Sequence, residues 1–124
     1  MKKNRSENSV YLYPKYNYMS FPSILFTLPF SEIIGYIDEN YMYKPTAFTN
    51  GNLVNESNEN QGSAKVLYFA RLHNLSESDT LRLFAEHYES VLKDASGTSH
   101  QNIRNFMKHG WKGVSFQAPA LEDK

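Results

Sequence analysis

The sequence predicts a single α+β domain in which about four helices pack on a small antiparallel sheet of roughly three strands. Three observations lead to this fold class. The chain has 124 residues, a length at which domains usually form one core. Apolar residues recur at helical spacing in four segments, whereas only three short segments have the features of strands. Helical and strand segments do not alternate regularly, which argues against a parallel doubly wound sheet.

The N-terminal residues are predicted to form an arm outside the core. Residues 1–22 combine charge, serine, asparagine and scattered tyrosines without a clear period, which is typical of a loosely docked terminus. The first helix is predicted from Ser31, whose side chain can cap it, to the residue before Lys44-Pro45, where proline ends helical structure. Its apolar stripe is Ile33, Ile34, Ile37 and Tyr41.

A short hairpin is predicted after this helix. Asn50-Gly51 is a dipeptide suited to the positive φ angles of a two-residue turn, and residues 47–49 and 52–54 flank it as strands. Residues 55–62 contain no apolar side chain, so we expect a surface loop.

Three further helices and one strand complete the predicted fold. Ser63 is expected to cap the second helix, which ends near Asn74. The third begins at the capping box 76–79 and runs about four turns to a break at Gly97. The fourth follows a box-like cap at 98–101 and stops at Gly110. The stripes are Val66, Phe69, Ala70 and His73; Leu81, Phe84, Ala85, Tyr88, Val91 and Leu92; and Ile103, Phe106 and Met107.

The C-terminal residues are predicted to form one strand and a tail. Val114 and Phe116 alternate with Ser115, which indicates a strand that joins the hairpin as its third member. Residues 118–124 are expected to be a tail, so the domain is predicted to span residues 23–117.

Composition argues against several classes of function. The 13 basic residues match the 13 acidic residues in number, so the chain lacks the net positive field that favours binding to nucleic acid or acidic membranes. It contains no cysteine, which excludes disulfides and thiolate chemistry. The most apolar stretch, Phe21 to Ile37, is interrupted by prolines and polar residues, and no membrane span is predicted. No apolar run follows the basic start, so no Sec-type signal is expected.

The motifs of common enzyme classes are missing from the sequence. Its glycines lack the spacing of a phosphate-binding loop, and there is no His-Glu-x-x-His helix or Gly-x-Ser-x-Gly elbow. One polar group remains at the entry to the second helix, formed by Asn55, Asn60, Ser63 and Lys65. A helix N-terminus favours anions, so this group could hold a small anion or carboxylate. Alternatively, these residues shape a long turn and cap the helix.

A second group of candidate site residues is His87 on the third helix, His100, Asn102 and Arg104 on the fourth, and Trp111 just after the glycine that ends the fourth helix. The two imidazoles could bind a metal ion or move protons. Metal sites usually need three protein ligands, so neither a metal nor a cofactor is predicted. The indole N–H of Trp111 is expected to find an acceptor while its ring packs.

Arg104 has an alternative structural role. It could pair with Asp38, Glu39 or Glu86 and so tie two helices together, which we favour over a contact with a ligand.

From about Phe30 to Phe116 the sequence resembles the HopJ (HopPmaJ) type III effector family. The matching runs are Ile37-Asp38, Tyr41, Pro45-Thr46-Ala47-Phe48, Asn50-Gly51, Asn55, Asn60, Gly62-Ser63, Lys65, Phe69-Ala70-Arg71-Leu72-His73, Leu75-Ser76, Phe84, Glu86-His87-Tyr88, Val91-Leu92, His100-Gln101-Asn102-Ile103-Arg104-Asn105-Phe106-Met107 and Gly110-Trp111. Three positions depart from the family pattern. Ala64 replaces a cysteine, Ala85 a glycine and Glu89 an arginine, so a thiol mechanism could not operate here.

The resemblance implies a bacterial cytoplasmic protein that a type III system can deliver into a host cell, but it supplies no established reaction. Our leading hypothesis is an effector or effector-like protein that binds a protein partner, from host or bacterium, as a monomer. No complete catalytic set supports an enzyme. The first alternative is a small metal-dependent or hydrolytic enzyme that uses His87, His100, Asn102 and Arg104. The second is a bacterial cytosolic housekeeping protein.

Overall fold

Five α-helices and two small antiparallel sheets form the part of the chain that the computed structural model describes, residues 21–124. The predicted α+β class is confirmed. Residues 1–20 of the predicted arm lie outside the described residues. In chain order the elements are α1 (Phe30–Asn40), β1 (Tyr41–Tyr43), β2 (Phe48–Asn50), β3 (Leu53–Asn55), α2 (Gln61–Leu72), α3 (Glu77–Arg82), α4 (Glu86–Lys93), α5 (Gln101–His109), β4 (Val114–Phe116) and β5 (Leu121–Asp123).

The first helix begins and ends earlier than predicted. Pro29 precedes it, and Ser31 lies inside the first turn without capping it. Its last residue is Asn40, because the following backbone is extended and pairs as β1 with β5. The partner strand lies at 121–123, in the segment predicted to be a tail, and no local pattern in the sequence indicated this pairing.

The hairpin exists, but its turn is displaced by one residue. Asn50 pairs with Leu53, so the loop residues are Gly51 and Asn52 instead of Asn50-Gly51. Gly51 has a φ of 62°, which favours glycine. The displacement places Asn50 at the end of β2 and Asn55 at the end of β3, and both side chains are fully buried. The prediction that residue 55 begins a surface loop is therefore wrong.

The predicted third strand is confirmed. Val114–Phe116 forms β4 and pairs with β2, which gives the strand order β3-β2-β4. This sheet lies against α5, so the end of the hairpin approaches the start of that helix.

The longest predicted helix is two helices. Ser76 caps α3 as predicted, because its Oγ accepts a hydrogen bond of 3.0 Å from the amide of Asp79. The helix stops at Arg82, and Ala85 adopts φ 53° and ψ −124° before α4 begins. Consecutive residues of a continuous helix point about 100° apart. The break allows Leu83 and Phe84 to be buried together.

The caps predicted for the second and last helices are wrong. Asn60 precedes α2 and His100 precedes α5, and both have left-handed backbone, with φ of 50° and 53°. Side-chain capping normally needs an extended residue at this position, and neither helix start has a side-chain cap. Ser63 is the third residue of α2, and the box at 98–101 does not form.

The core contains most of the apolar stripes read from the sequence. Its largest fully buried side chains are Phe48, Phe69, Phe84, Phe106, Leu25, Ile33, Ile37, Leu67 and Leu83. Two residues predicted to point inward are instead half exposed, Leu92 at 54% and Met107 at 44%. Within residues 21–124, no helix combines the length and apolar character needed to cross a membrane.

Candidate functional site

A cleft of about 570 Å³ opens where α2, α4 and α5 begin. We call it the histidine cleft, because His87 and His100 stand on its wall. Its lining residues are Phe30, Leu53, Asn60, Gly62, Ser63, Phe84, His87, His100, Gln101, Asn102 and Ile103.

Beneath the cleft, four side-chain amides form a connected network that we call the asparagine cluster, Asn50, Asn55, Asn60 and Asn102. Asn102 donates to the Oδ1 of Asn55 at 2.9 Å, and its own Oδ1 accepts from Asn50 at 3.0 Å and from Asn55 at 3.2 Å. Asn60 donates to the same Oδ1 of Asn55 at 2.7 Å. Asn50 also donates to the backbone carbonyl of Asn102 at 2.8 Å.

The asparagine cluster connects three elements that are distant in sequence. Asn50 and Asn55 lie on the hairpin, Asn60 precedes α2, and Asn102 lies in the first turn of α5. Buried amides that satisfy one another hold their backbones firmly, since separation would leave donors without acceptors. The cluster therefore fixes how the starts of α2 and α5 face each other across the cleft.

The two histidines of the cleft form a close pair. Their ring centroids lie 5.0 Å apart with an interplanar angle of 33°. The ring of Phe30 packs edge-on against His87 at 4.8 Å, which restricts that imidazole. His100 is exposed, and His87 is half-buried. Within residues 21–124 neither ring forms a side-chain hydrogen bond, so their polar atoms face the cleft uncommitted.

The carboxylate nearest in sequence to this pair is turned toward α1. The Oε1 of Glu86 accepts a hydrogen bond of 2.9 Å from the backbone amide of Phe30. This hydrogen bond is the main cause of a lowered pKa for Glu86, assisted by the residue's own amide and by His87. Glu86 is not among the residues that line the cleft.

The starts of α2 and α5 lie at the cleft. Gly62 and Ser63 lie in the first turn of α2, and Gln101 and Asn102 lie in that of α5. First-turn amides have no partner inside their own helix, and they carry the positive end of the helix dipole. Neither helix start has a side-chain cap, so no side chain of the described residues occupies these first-turn amides as a cap.

Lys65 and Trp111, two of the predicted site residues, lie outside the cleft. The Nζ of Lys65 is 2.8 Å from a carboxylate oxygen of Asp38 and stands over the ring of Tyr43. The indole N–H of Trp111 donates to the carbonyl of Leu75 at 3.0 Å. Both side chains therefore hold elements together.

Arg104 also points away from the cleft. It donates to the backbone carbonyls of Asp94, Ala95 and Ser99 and lies 3.9 Å from the carboxylate of Asp94. It ties the loop after α4 to α5. The predicted partners on α1 and at position 86 are wrong, because the first turn of α5 directs residue 104 toward the loop that precedes this helix.

The structure brings together six of the nine predicted site residues. Asn60, Ser63, His87 and His100 line the cleft, with Asn102 at its floor and Asn55 just beneath. Two contributors, Phe30 and Asn50, were not predicted to belong to the site. Asn50 was assigned to the turn, and a hairpin register shifted by one residue would have revealed its inward direction.

No group of three or more histidine, aspartate or glutamate side chains within residues 21–124 is arranged to hold a metal ion. The asparagine amides of the site are engaged with one another. The chemistry available in the cleft is hydrogen bonding from imidazoles, a hydroxyl and backbone amides, against an apolar wall.

Comparison with known proteins identifies two similarities. The sequence model described as HopJ type III effector protein matches residues 23–121. A crystal structure of a protein of unknown function, VPA0580, superposes with a TM-score of 0.80 at 38% sequence identity, covering 91% of this chain and 95% of that chain. No significantly similar curated protein was found.

Proposed function

Because the chain belongs to the HopJ type III effector family, we propose that it is an effector-like protein that acts by binding a protein partner through the histidine cleft. In this proposal the protein is made in the bacterial cytoplasm and delivered to a host cell. The family match supports delivery, and the cleft supports binding.

One observation carries the binding proposal: the cleft presents polar side chains without intramolecular hydrogen bonds above a floor of mutually hydrogen-bonded asparagines. His87, His100 and Ser63 have no side-chain hydrogen bond to another residue of the described part. The asparagine cluster keeps the surrounding backbone rigid, so partner binding costs little additional ordering entropy. Concave sites with a few convergent polar groups and apolar walls are typical of ligand recognition.

The geometry favours binding over the alternative of hydrolysis by a histidine, asparagine and arginine set. Arg104 is bonded to backbone carbonyls on the far side of α5. Asn102 is 4% exposed, and its side-chain amide is hydrogen-bonded within the asparagine cluster. Two of the four groups that such an enzyme would use are therefore committed to structure.

Site-specific photocrosslinking tests the proposal. A photoreactive residue replaces Gln101, which is exposed on the cleft wall, and in a matched variant it replaces Lys108, which is exposed on the same helix outside the cleft. With host-cell extract we expect a defined adduct from position 101 that His87→Gln weakens. Equal adducts from both positions, or an adduct from position 108 alone, would contradict binding through the cleft.

Delivery is tested separately with the full chain fused to a reporter that is active only in host cytosol. We expect reporter activity that depends on a functional type III system. Retention in bacteria with and without that system would contradict delivery and favour a housekeeping role.

A further inference from the structure

We propose that the histidine cleft binds an oxyanion, a carboxylate or phosphate group, held between His87 and His100. The inference deepens the proposed function, because it assigns an acidic or phosphorylated side chain to the partner. It also predicts an activity of the isolated protein that can be measured without the partner.

The charge of the cleft points to an anion. Its lining contains two histidines but no aspartate, glutamate, lysine or arginine. Any formal charge on the lining is therefore positive and comes from imidazolium groups. Glu86, the acidic neighbour, turns its Oε1 toward the amide of Phe30 on α1.

The spacing of the two rings suits a shared acceptor. With centroids 5.0 Å apart and nitrogen-to-oxygen hydrogen-bond distances of about 2.8 Å, a single carboxylate or phosphate can accept a hydrogen bond from each ring. Two imidazolium groups this close repel each other, and an anion between them removes that repulsion. The hydroxyl of Ser63 stands on the same wall as a further donor.

The surroundings favour an anion over a metal cation. A divalent transition metal would find two imidazoles but no carboxylate, and stable sites usually have three protein ligands. The starts of α2 and α5 add positive potential, which favours a negative charge and opposes a cation. The rings of Phe30 and Phe84 exclude water from one side, which strengthens the charged hydrogen bonds.

NMR titration of the full chain with inorganic phosphate, and separately with acetate, tests the inference at constant ionic strength. We expect saturable shifts of the ring signals of His87 and His100 and of the amides of residues 62, 63, 101 and 102.

The variants His87→Gln and His100→Asn should each weaken phosphate binding by about tenfold or more, the usual effect of losing a charged hydrogen bond. Asparagine is chosen at position 100 because it tolerates the left-handed backbone there. His109→Gln, at the exposed far end of α5, is the matched control and should bind normally. Amide spectra show whether each variant is folded.

The outcomes separate this inference from the proposed function. Saturable phosphate or acetate binding without a cleft adduct would support the oxyanion site and contradict partner binding. A cleft adduct with no binding of phosphate or acetate would contradict the oxyanion site alone. Stoichiometric zinc binding that shifts both rings, with no response to either anion, would overturn the inference in favour of a metal.

Discussion

Replacement of Asn102 by alanine is the sharpest test of the asparagine cluster. The substitution removes the amide that receives hydrogen bonds from Asn50 and Asn55 and donates one back to Asn55. Asn50 keeps a bond to the backbone carbonyl of residue 102. The side-chain NH₂ of Asn55 keeps only one long hydrogen bond, of 3.4 Å, to the carbonyl of Phe48. The buried amide of Asn55 is therefore left poorly satisfied.

The magnitude follows from the three hydrogen bonds that are lost. Each buried neutral hydrogen bond contributes about 1 kcal/mol net, which gives roughly 3 kcal/mol. Alanine has a higher helix propensity than asparagine, which offsets this loss of stability by about 0.5 kcal/mol. We therefore expect Asn102→Ala to lower the free energy of unfolding by about 2.5 kcal/mol, a large fraction of the stability of a small domain.

Urea unfolding followed by circular dichroism measures this change, and the expected loss corresponds to a midpoint lower by roughly 1–2 M. Asn105→Ala on the same helix is the matched control. That side chain makes one hydrogen bond of 2.9 Å to the carbonyl of Gln101, and its removal should cost less than about 0.5 kcal/mol. A loss below about 1 kcal/mol for Asn102→Ala, or equal losses for both variants, would refute the structural role of the cluster.

Three further predictions concern backbone strain and pH. Ala85→Gly should raise the free energy of unfolding by about 1 kcal/mol, because φ 53° with ψ −124° strains any residue with a Cβ; unchanged or lower stability in thermal unfolding would contradict this. Gly110→Ala should lower stability by about 2 kcal/mol, since its φ is 66° and its Cβ would overlap the Glu77 carboxylate unless that side chain moves; wild-type stability in urea would count against the strain. Burial lowers the pKa of His73, so the unfolded chain gains a proton near pH 6.5 before the folded chain does, and stability should fall as the pH decreases from 7. His73→Leu should reduce that fall in pH-dependent urea titrations, and an identical pH profile would exclude His73 as its source.

The strain at position 85 concerns a residue already singled out in the sequence. The resemblance described above implies glycine where this chain has Ala85, and the backbone there is one that glycine adopts freely. Periodicity could not reveal this, because Leu81, Phe84 and Val91 also fit one continuous helical stripe. The break depends on burying Leu83 beside Phe84, a requirement of the folded core.

Several elements followed from local patterns alone. The isoleucines of α1, the apolar face of α2 and the cap at Ser76 were predictable, because helical periodicity and capping act within a few residues. The polar groups that line the cleft were also singled out, although as two separate groups. Nothing local could join them, since the starts of α2 and α5 are connected only through the tertiary hydrogen bonds of the asparagine cluster.

The sequence by itself determined the α+β class, the faces that its helices bury and the identity of most polar residues at the site. Only the tertiary structure decided which of those residues converge. The hairpin register turned Asn50 and Asn55 inward, and the pairing of β1 with β5 ended α1. The packing of α4 against α5 brought the ring of His87 next to that of His100. The physical reason is range: periodicity records which side of an element is apolar, whereas register and the pairing of distant elements are set by contacts between residues far apart in the chain.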